Sequence, residues 1–287
     1  MVEPNLTDVL KKGAKEAIGG GLPGMAAMFA QVSSLMWLRT TINYQYRYGT
    51  TAREAFKKLY QEGGFRRFYR GYSAAIVQGP LSRFGDTAAN NGILTILDSY
   101  SYTQTLPMMV KTGFASAGAG GFRILLMPID TIKTMMQVEG GNGMITLKQK
   151  IQQSGPKVLF HGALASSLAT FVGHYPWFAT YNILNQKMEN YKDKKIQLMR
   201  NAFIGFTASM ISDTCSNSIR VIKTTRQTLG KEMDYINIVK MIVDKDGWGG
   251  LFGRGLKTKI IANGFQGMLF SVYWKMGQDY FNGKKTS

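Results

Sequence analysis

Residues that build metal sites and disulfides are nearly absent from this chain of 287 residues, which contains one cysteine (Cys215) and two histidines (His161 and His174). So small a set can form neither a zinc site nor a disulfide framework. Cys215 lies among apolar and small residues, a context that favours an inert, buried thiol. We find no glycine-rich phosphate loop and no nucleophile beside a base, so we expect neither an enzyme nor a bound cofactor.

Acidic residues are also scarce, with 17 Asp and Glu against 35 Lys and Arg, and the formal net charge is +18. Such an excess suits nucleic acid, anionic lipid or an anionic solute as a partner. The basic residues fall in connectors and at helix ends rather than in one patch with interleaved aromatics, so we do not expect nucleic-acid binding. The first 20 residues have no apolar core before a cleavage site and are not poor in acids, which predicts no removable presequence.

Long, wholly apolar runs are missing, and the mean hydropathy is slightly polar. Six segments are nevertheless rich in Gly, Ala, Ser, Met and aliphatic residues, and each has about the 20 residues that a helix needs to cross a bilayer. Polar residues recur in them at helical spacing, and because charge that faces lipid is costly, these polar stripes should line a water-filled cavity. The six segments are residues 17–38, 72–97, 107–129, 162–185, 198–222 and 256–276.

Internal repetition organises the chain. The stretches GGFRRFYRG, SGPKVLFHG and DGWGGLFGRG end at Gly71, Gly162 and Gly255, which lie 91 and 93 residues apart. Upstream of each lies a second marker, and the copies SLMWLRTTIN, PIDTIKTMMQ and SIRVIKTTRQ begin 94 and 90 residues apart. The two markers predict one domain of three repeats, each with a helix, a kink, a short amphipathic surface helix and a second helix. The repeats cover approximately residues 11–100, 101–192 and 193–287.

These repeats resemble those of the mitochondrial carrier family. The family motif is Pro-x-acid-x-x-base at the end of each odd helix, followed by acid-Gly, an aromatic, a base and a Gly at the start of each even helix. PIDTIKTMMQ, with its trailing Gln137, matches the first part fully, and FYRG and DGWGGLFGRG are close to the second. The resemblance implies an all-α membrane protein, multi-pass in the mitochondrial inner membrane. Its six transmembrane helices would form a pseudo-threefold barrel around a central cavity, with three short surface helices on the matrix side.

The resemblance also implies a gate at the matrix end of the cavity. There the kinks bring the lower ends of the odd helices together, and an acid on one helix pairs with the base on the next. The acid positions hold Met36, Asp130 and Arg220, the basic positions hold Arg39, Lys133 and Lys223, and the bracing positions hold Asn43, Gln137 and Gln227.

This chain departs from the family's gate pattern. Asp130 to Lys223 is the single bridge available, because the first junction offers Lys133 no acid and the third sets Arg220 against Arg39. A ring with four cations and one acid should not close tightly without an anion to neutralise it. The family's second gate, an aromatic-acid-x-x-base motif late in each even helix, has no acid in the comparable stretches near Asn90, Tyr181 and Tyr273.

In the family that these repeats resemble, the residues seven, eight, eleven, twelve and fifteen places after the glycine that opens each even helix tend to face the axis, as one helical stripe should. Besides Gly79, Ala169, Gly173, Ala262 and Gly267, these positions hold Gln78, Ser82, Arg83, Asp86, Thr170, His174, Trp177, Asn263, Gln266 and Phe270. Two turns before the acid positions of the gate lie Phe29, Arg123 and Asp213. Arg83 and Arg123 are candidates to hold an anion, with His174 as a donor, because a guanidinium fork suits carboxylate or phosphate. Alternatively, Arg83 pairs with Asp86 or Asp213 with Arg123, and for His174 a structural hydrogen bond is the favoured interpretation.

Two functions agree with these features. The first is transport of a small, anionic metabolite by alternating access, because charged cavity groups are costly to keep in a membrane without a use. The second is a non-transporting, carrier-fold structural or accessory subunit of a larger inner-membrane, respiratory-type complex, which the loss of both gates favours. In either case we expect membrane lipid, and cardiolipin in particular, to meet the basic side chains of the matrix-side segments. These are Lys57, Lys58, Arg66, Arg67, Lys148, Lys150, Lys157 and Lys240.

Overall fold

Helices form the regular structure of the described chain. The computed structural model describes residues 6–267, apart from the side chains of residues 6, 20–24, 26, 27 and 194. In chain order the helices are α1 (Leu6–Tyr48), α2 (Ala52–Phe68), α3 (Tyr72–Ser99), α4 (Ser101–Gln104), α5 (Met108–Leu125), α6 (Met127–Glu139), α7 (Gly143–Ser154), α8 (Ala163–Lys187), α9 (Lys194–Thr228), α10 (Tyr235–Gly253) and α11 (256–267). Two 3-10 turns cover Gly140–Asn142 and Pro156–Phe160.

These helices confirm the all-α architecture and its threefold plan. In each repeat a long first helix (α1, α5 with α6, and α9) is followed by a surface helix (α2, α7 and α10) and a second long helix (α3, α8 and α11). By hydropathy, no helix within residues 6–267 is long and apolar enough to cross a membrane.

The proline of the middle repeat separates two helices. Pro128 stands in the first turn of α6, where its missing N–H leaves no intrahelical hydrogen bond unmade. In the first repeat Ser34 takes that place, and the next residue, Leu35, leaves helical geometry with φ −115° and ψ 18°. In the third repeat α9 continues across Ser218 as one helix. The break expected in every odd helix is therefore present in two repeats, and the third odd helix is continuous.

The odd helices meet at the centre of the fold. The lower segments α1, α6 and α9 contact one another pairwise, while α3 packs on α1 and α5, and α8 packs on α5 and α9. Asn263 joins α11 to α9 through a hydrogen bond to Asp213. This order places the repeats around one axis. The gate residues lie on the three central segments, so the packing brings them together.

The marker glycines lie where consecutive repeats touch. Gly71, Gly162 and Gly255 have left-handed φ values of 80°, 87° and 67°, which glycine adopts without strain. A methyl group on Gly71 would lie 3.0 Å from the carbonyl oxygen of Lys133 in the next repeat. Methyl groups on the other two would likewise meet the odd helices of the third and the first repeat. The spacing of these glycines therefore reflects one contact, repeated at each junction.

Large apolar side chains stay exposed on the outer faces of the helices, while polar ones are buried inside. On α8 the exposed residues recur every three or four positions, and Thr170, on another face of the same helix, is buried. This exposed set is Leu164, Leu168, Phe171 and Tyr175. Cys215 is also exposed, one turn after the exposed Ile211. The buried thiol expected at Cys215 is thus wrong, because an apolar context in this fold includes outward helix faces.

Candidate functional site

Asp130 is the centre of the polar network between the odd helices. It is buried, and its two carboxylate oxygens accept from Lys133 Nζ at 2.6 Å and from Lys223 Nζ at 2.6 Å. Gln227 Nε2 donates to Asp130 Oδ2 at 3.1 Å and to the hydroxyl of Thr131 at 3.1 Å. The bridge between the second and third repeats that the sequence predicted is therefore present, and Gln227 braces it.

At the gate, the junction between the first and second repeats has no ion pair between its acid and base positions, Met36 and Lys133. Met36 is fully buried there, and Gln137 Nε2 approaches its sulfur at 3.4 Å. Asn43 Nδ2 donates to Gln137 Oε1 at 2.5 Å, so the two bracing amides bind each other. Lys133 instead donates to Asp130, on its own helix, which also binds Lys223. Lys133 donates as well to Gln78 Oε1 at 3.0 Å. An amide pair and a thioether therefore take the place of the bridge at this junction.

The junction between the third and first repeats carries like charges. Arg220 Nη2 lies 3.8 Å from Asp213 Oδ1, and Arg220 Nε donates to Ser216 Oγ at 3.2 Å. Arg39 Nη2 approaches the sulfur of Met28 at 3.4 Å, which is a weak acceptor, and its Nε is buried without a described partner. Arg39 and Arg220 line the same cavity. The sequence predicts that they face each other at this junction.

That cavity has a volume of about 320 Å³ and is enclosed by all three repeats. Its wall contains seven basic side chains and two acidic ones, Asp86 and Asp130. Of the residues predicted to face it or to form the gate, the lining includes Arg39, Gln78, Ser82, Arg83, Asp86, Arg123, Asp130, Lys133, Gln137, Thr170, Arg220, Lys223 and Gln266. The bracing residue Asn43 also lines the cavity, whereas seven other predicted positions, glycine and alanine aside, are not part of its lining: Phe29, Met36, His174, Trp177, Asp213, Gln227 and Asn263. The predicted position Phe270 lies outside the described residues.

Arg123 is paired with Asp86. Its Nη2 and Nε donate to the two carboxylate oxygens at 2.6 and 3.2 Å, a bidentate contact between α5 and α3. Neither of the alternative pairs, Arg83 with Asp86 or Asp213 with Arg123, forms. Within residues 6–267 the guanidinium of Arg83 has no hydrogen bond or ion pair, although it faces the cavity. An anion would therefore find Arg83 available and Arg123 already occupied.

His174 and Asp213 make structural contacts. His174 Nδ1 shares a hydrogen bond of 3.1 Å with Ser116 Oγ on the neighbouring helix. Asp213 accepts from Asn263 Nδ2 on α11. The interpretation of His174 as a structural residue agrees with this geometry, and its role as a donor to a cavity anion has no support in it.

Lys259 is a cavity residue that the sequence reasoning missed. It lies one turn before Asn263 on α11 and contributes a seventh basic side chain to the wall. The equivalent positions four residues after the other marker glycines are Ala75 and Ser166, which also line the cavity. The sequence could have predicted this residue, because extending the polar stripe of the even helix by one turn toward the marker glycine reaches Lys259.

A comparison with known families agrees with this architecture. A family model described as mitochondrial carrier protein matches residues 11–98, 106–192 and 194–285, which is nearly the whole chain in three copies. The chain belongs to the mitochondrial carrier family. Proteins of this family are metabolite transporters located in membranes, so the carrier is expected to act by moving a solute rather than by catalysis.

Relatives of the carrier have names that point to different solutes. It is 23% identical over 283 residues to mitochondrial substrate carrier family protein S of Dictyostelium discoideum, covering 92% of this chain and 96% of that one. It is 22% identical over 250 residues to mitochondrial citrate transporter D of Aspergillus niger, covering 81% and 80%. It is 24% identical over 250 residues to mitochondrial ornithine transporter 1 of Mus musculus, covering 75% and 78%. Citrate and ornithine differ in the sign of their charge, so the names alone leave the solute of this carrier open.

Two of the basic residues assigned to lipid contact are buried instead. Arg67 donates to the carbonyl oxygens of Gln137 and Val138 at 2.8 and 2.7 Å, and Lys150 donates to the carbonyl oxygen of Gln227 at 3.1 Å. Burial also lowers the pKa of Lys150 to about 8. In the third repeat Arg254 reaches the carbonyl oxygens at the end of α1 in the same way. A cation from each repeat therefore caps the odd helix of the next, where the helix dipole favours positive charge.

At the opposite end of the carrier, a basic side chain of the third repeat binds the end of α8 in the second repeat. Arg200, at the start of α9, donates to Asn185 Oδ1 at 2.9 Å and to the carbonyl oxygen of Met188 at 2.7 Å. Asn90 Nδ2 lies 3.4 Å from Asn91 Oδ1. The third stretch compared for a second gate, from Tyr273, lies outside the described residues.

Proposed function

We propose that this carrier moves a small organic anion across the mitochondrial inner membrane by alternating access. The observation that supports it is the charge of the cavity wall, with seven basic and two acidic side chains. Both acids are engaged in ion pairs, Asp86 with Arg123 and Asp130 with two lysines. Of the remaining cations, Arg220 has a long ion pair of 3.8 Å with Asp213, and Arg39, Arg83 and Lys259 have none within the described chain. A solute with more than one negative charge would neutralise them.

The outer surface supports a multi-pass membrane position for the helices. Exposed apolar side chains cover the outward faces of the long helices, whereas the charged groups converge inside. Such an arrangement reverses that of a water-soluble protein and suits a barrel in lipid around a wet cavity. The exposed set on α5 and α9 includes Met108, Val110, Phe114, Leu125, Met199, Phe203 and Phe206.

Alternating access would act on the odd helices. Opening the cavity at the gate requires α6 and α9 to separate, which breaks the contact of 2.6 Å between Asp130 and Lys223. Breaking a buried ion pair leaves each charge without a partner, which costs free energy unless water or the solute takes the place of that partner. Because the gate positions of the other two junctions hold no ion pair between repeats within residues 6–267, the solute itself would contribute to the balance between open and closed states.

Lipid contact is a further part of the proposal. Six of the basic residues named for it remain exposed on or beside the surface helices, where they would meet anionic head groups such as those of cardiolipin. These are Lys57, Lys58, Arg66, Lys148, Lys157 and Lys240. The buried Arg67 and Lys150 are excluded from this role because their charges bind backbone carbonyl groups.

Thermal unfolding of the protein in mild detergent tests the sign of the solute charge. Citrate, succinate, inorganic phosphate and ornithine are compared at matched ionic strength, because a ligand of the folded state raises its melting temperature. We expect anions to raise it and ornithine to leave it unchanged. The variant Arg83→Gln should respond less, whereas Lys192→Gln, the same change at an exposed site outside the cavity, should respond fully. Stabilisation by ornithine alone would overturn the proposal.

Sizing of the protein after native extraction addresses the accessory-subunit hypothesis. We expect a particle near the monomer mass plus bound detergent. If the protein leaves the membrane only within a large assembly and no anion stabilises it after release, transport is rejected and a structural role takes its place.

A further inference from the structure

Three basic side chains meet at the junction of the third and first repeats. Arg39 of α1, Arg220 of α9 and Lys259 of α11 all line the cavity there, and we call these three the cationic cluster. At the equivalent place between the second and third repeats, Asp130 and Lys223 form an ion pair. The same position of the family gate is thus a bridge at one junction and a group of like charges at another.

The cationic cluster has one carboxylate nearby for three positive charges. Asp213 lies 3.8 Å from Arg220, longer than a hydrogen bond, and it also accepts from Asn263. Within residues 6–267 Lys259 donates no hydrogen bond; the charge of Asp213 attracts it, and the charges of Arg220 and Arg39 repel it. Three converging cations with one carboxylate among them oppose the approach of α1 and α9, although the two helices are in contact. A charge of about −2 is missing from this junction.

On this basis we propose that the cationic cluster binds the phosphoryl group of an organic phosphate, which bridges α9 and α1 in place of the absent acid. The inference rests on the proposed function and names the substrate class for the same cavity. A phosphoryl group carries a charge of about −1.5 to −2 near neutral pH and several acceptor oxygens. Two guanidinium groups and one ammonium group match it in charge and in number of donors. A single carboxylate would leave at least one cation unneutralised.

The remainder of the cavity fits the rest of such a solute. Arg83, Gln78 and Gln266 line the same space and offer donors or acceptors away from the cluster. The cavity of about 320 Å³ is within the size range of small-molecule sites. The bound phosphoryl group would therefore take the place of the missing acidic side chain at the gate. The junction would close when the solute is bound and loosen when the solute leaves.

Restoring the missing acid tests this directly. In Arg220→Asp the new carboxylate can pair with Arg39, as Asp130 pairs with Lys223. We expect this variant to melt at a higher temperature than the wild type without ligand. Its affinity for inorganic phosphate and for glycerol 3-phosphate, from the rise in melting temperature, should fall by at least about tenfold. Lys192→Asp, the same kind of charge change at an exposed site, is the control and should keep the wild-type response.

A second variant keeps the test informative if Arg220→Asp does not fold. Lys259→Gln keeps the size of the side chain and removes one charge of the cluster, and it should weaken phosphate binding without the gain in stability. Chloride at matched ionic strength separates binding from salt effects. Unchanged phosphate binding in both variants would overturn the cluster as the site, while anion transport would stand. Stabilisation by succinate but not by either phosphate compound would overturn the phosphoryl assignment alone. No stabilisation by any anion would remove the proposed function as well.

Discussion

Lys223 Nζ lies 2.6 Å from Asp130 Oδ2 and so joins the third repeat to the second through a buried ion pair. The same carboxylate also binds Lys133 at 2.6 Å. One acid therefore serves two lysines, and Gln227 donates a further hydrogen bond to it at 3.1 Å. The closed arrangement of the odd helices depends on this group more than on any other charge of the described gate.

Replacement of Asp130 by Asn should destabilise the protein strongly. The change leaves two partly buried lysines without a carboxylate, and breaking a buried pair in this way costs up to about 3–5 kcal/mol. Thermal unfolding in detergent measures the effect. Asp244→Asn removes the same charge from an exposed position of α10 and should leave the melting temperature within a degree or so of the wild type. Equal melting temperatures for the two variants would contradict the central place given to Asp130.

Replacement of Gly71 by Ala should also be destabilising, because the residue has a φ of 80° and its methyl group would lie 3.0 Å from a carbonyl oxygen of the next repeat. The expected cost is about 1–3 kcal/mol. Gly113→Ala is the matched control, since Gly113 lies within α5 and a methyl group there meets nothing within 4 Å. Alanine should stabilise that helix by up to about 1 kcal/mol. We therefore expect the melting temperature to fall in Gly71→Ala and to rise in Gly113→Ala, and shifts of the same sign would contradict this prediction.

Arg67 and its neighbour Arg66 provide a test of helix capping between repeats. Arg67 is buried on the carbonyl groups that end α6 and contacts Glu62 at 2.8 Å, whereas Arg66 is exposed. Arg67→Gln should lower stability by about 2–4 kcal/mol, because it removes charged hydrogen bonds and leaves buried acceptors unpaired. Arg66→Gln makes the same change in charge and should be nearly neutral. If the two variants have the same melting temperature, the contact of Arg67 with α6 does not stabilise the junction between the repeats.

His161 predicts a loss of stability at mildly acid pH. Its pKa is held below the ordinary value of 6.5 because burial and the charges of Lys150 and Arg226 disfavour protonation. The unfolded chain therefore binds a proton near pH 6.5 that the folded chain binds only at lower pH, so the free energy of unfolding falls as the pH drops below about 6.5. Melting temperatures between pH 8 and 5 should show this fall, and His161→Gln should reduce it. An identical pH profile in the variant would exclude this residue as the cause.

The sequence was sufficient for the fold and for one bridge of the gate. The period of the two markers fixes which residues occupy equivalent places, and the gate pattern of the family that the repeats resemble then predicts the pair of Asp130 and Lys223. The partner of Arg123 did not follow, because Asp86 and Asp213 both lie at suitable helical positions and the choice depends on how α3 and α9 are rotated. Spacing along one helix cannot supply that rotation.

The errors at Cys215 and Lys259 have a common physical origin. In a barrel whose outer face is apolar, hydrophobic context does not separate the core from the exterior, so Cys215 was placed inside although it is exposed. Lys259 lies one turn below the stripe that was counted, at a depth where the odd helices close the cavity. Depth along the barrel axis, like rotation, is set by packing between repeats.

Uptake into liposomes that contain the purified carrier tests the central claim most directly. Liposomes are loaded with one unlabelled compound, and entry of the same labelled compound is followed for glycerol 3-phosphate, inorganic phosphate, citrate, succinate and ornithine. We predict time-dependent uptake of at least one anion, fastest for a phosphate compound, and none of ornithine. Absence of uptake for every anion by folded protein, or uptake of ornithine alone, would contradict the account of this molecule as an anion carrier.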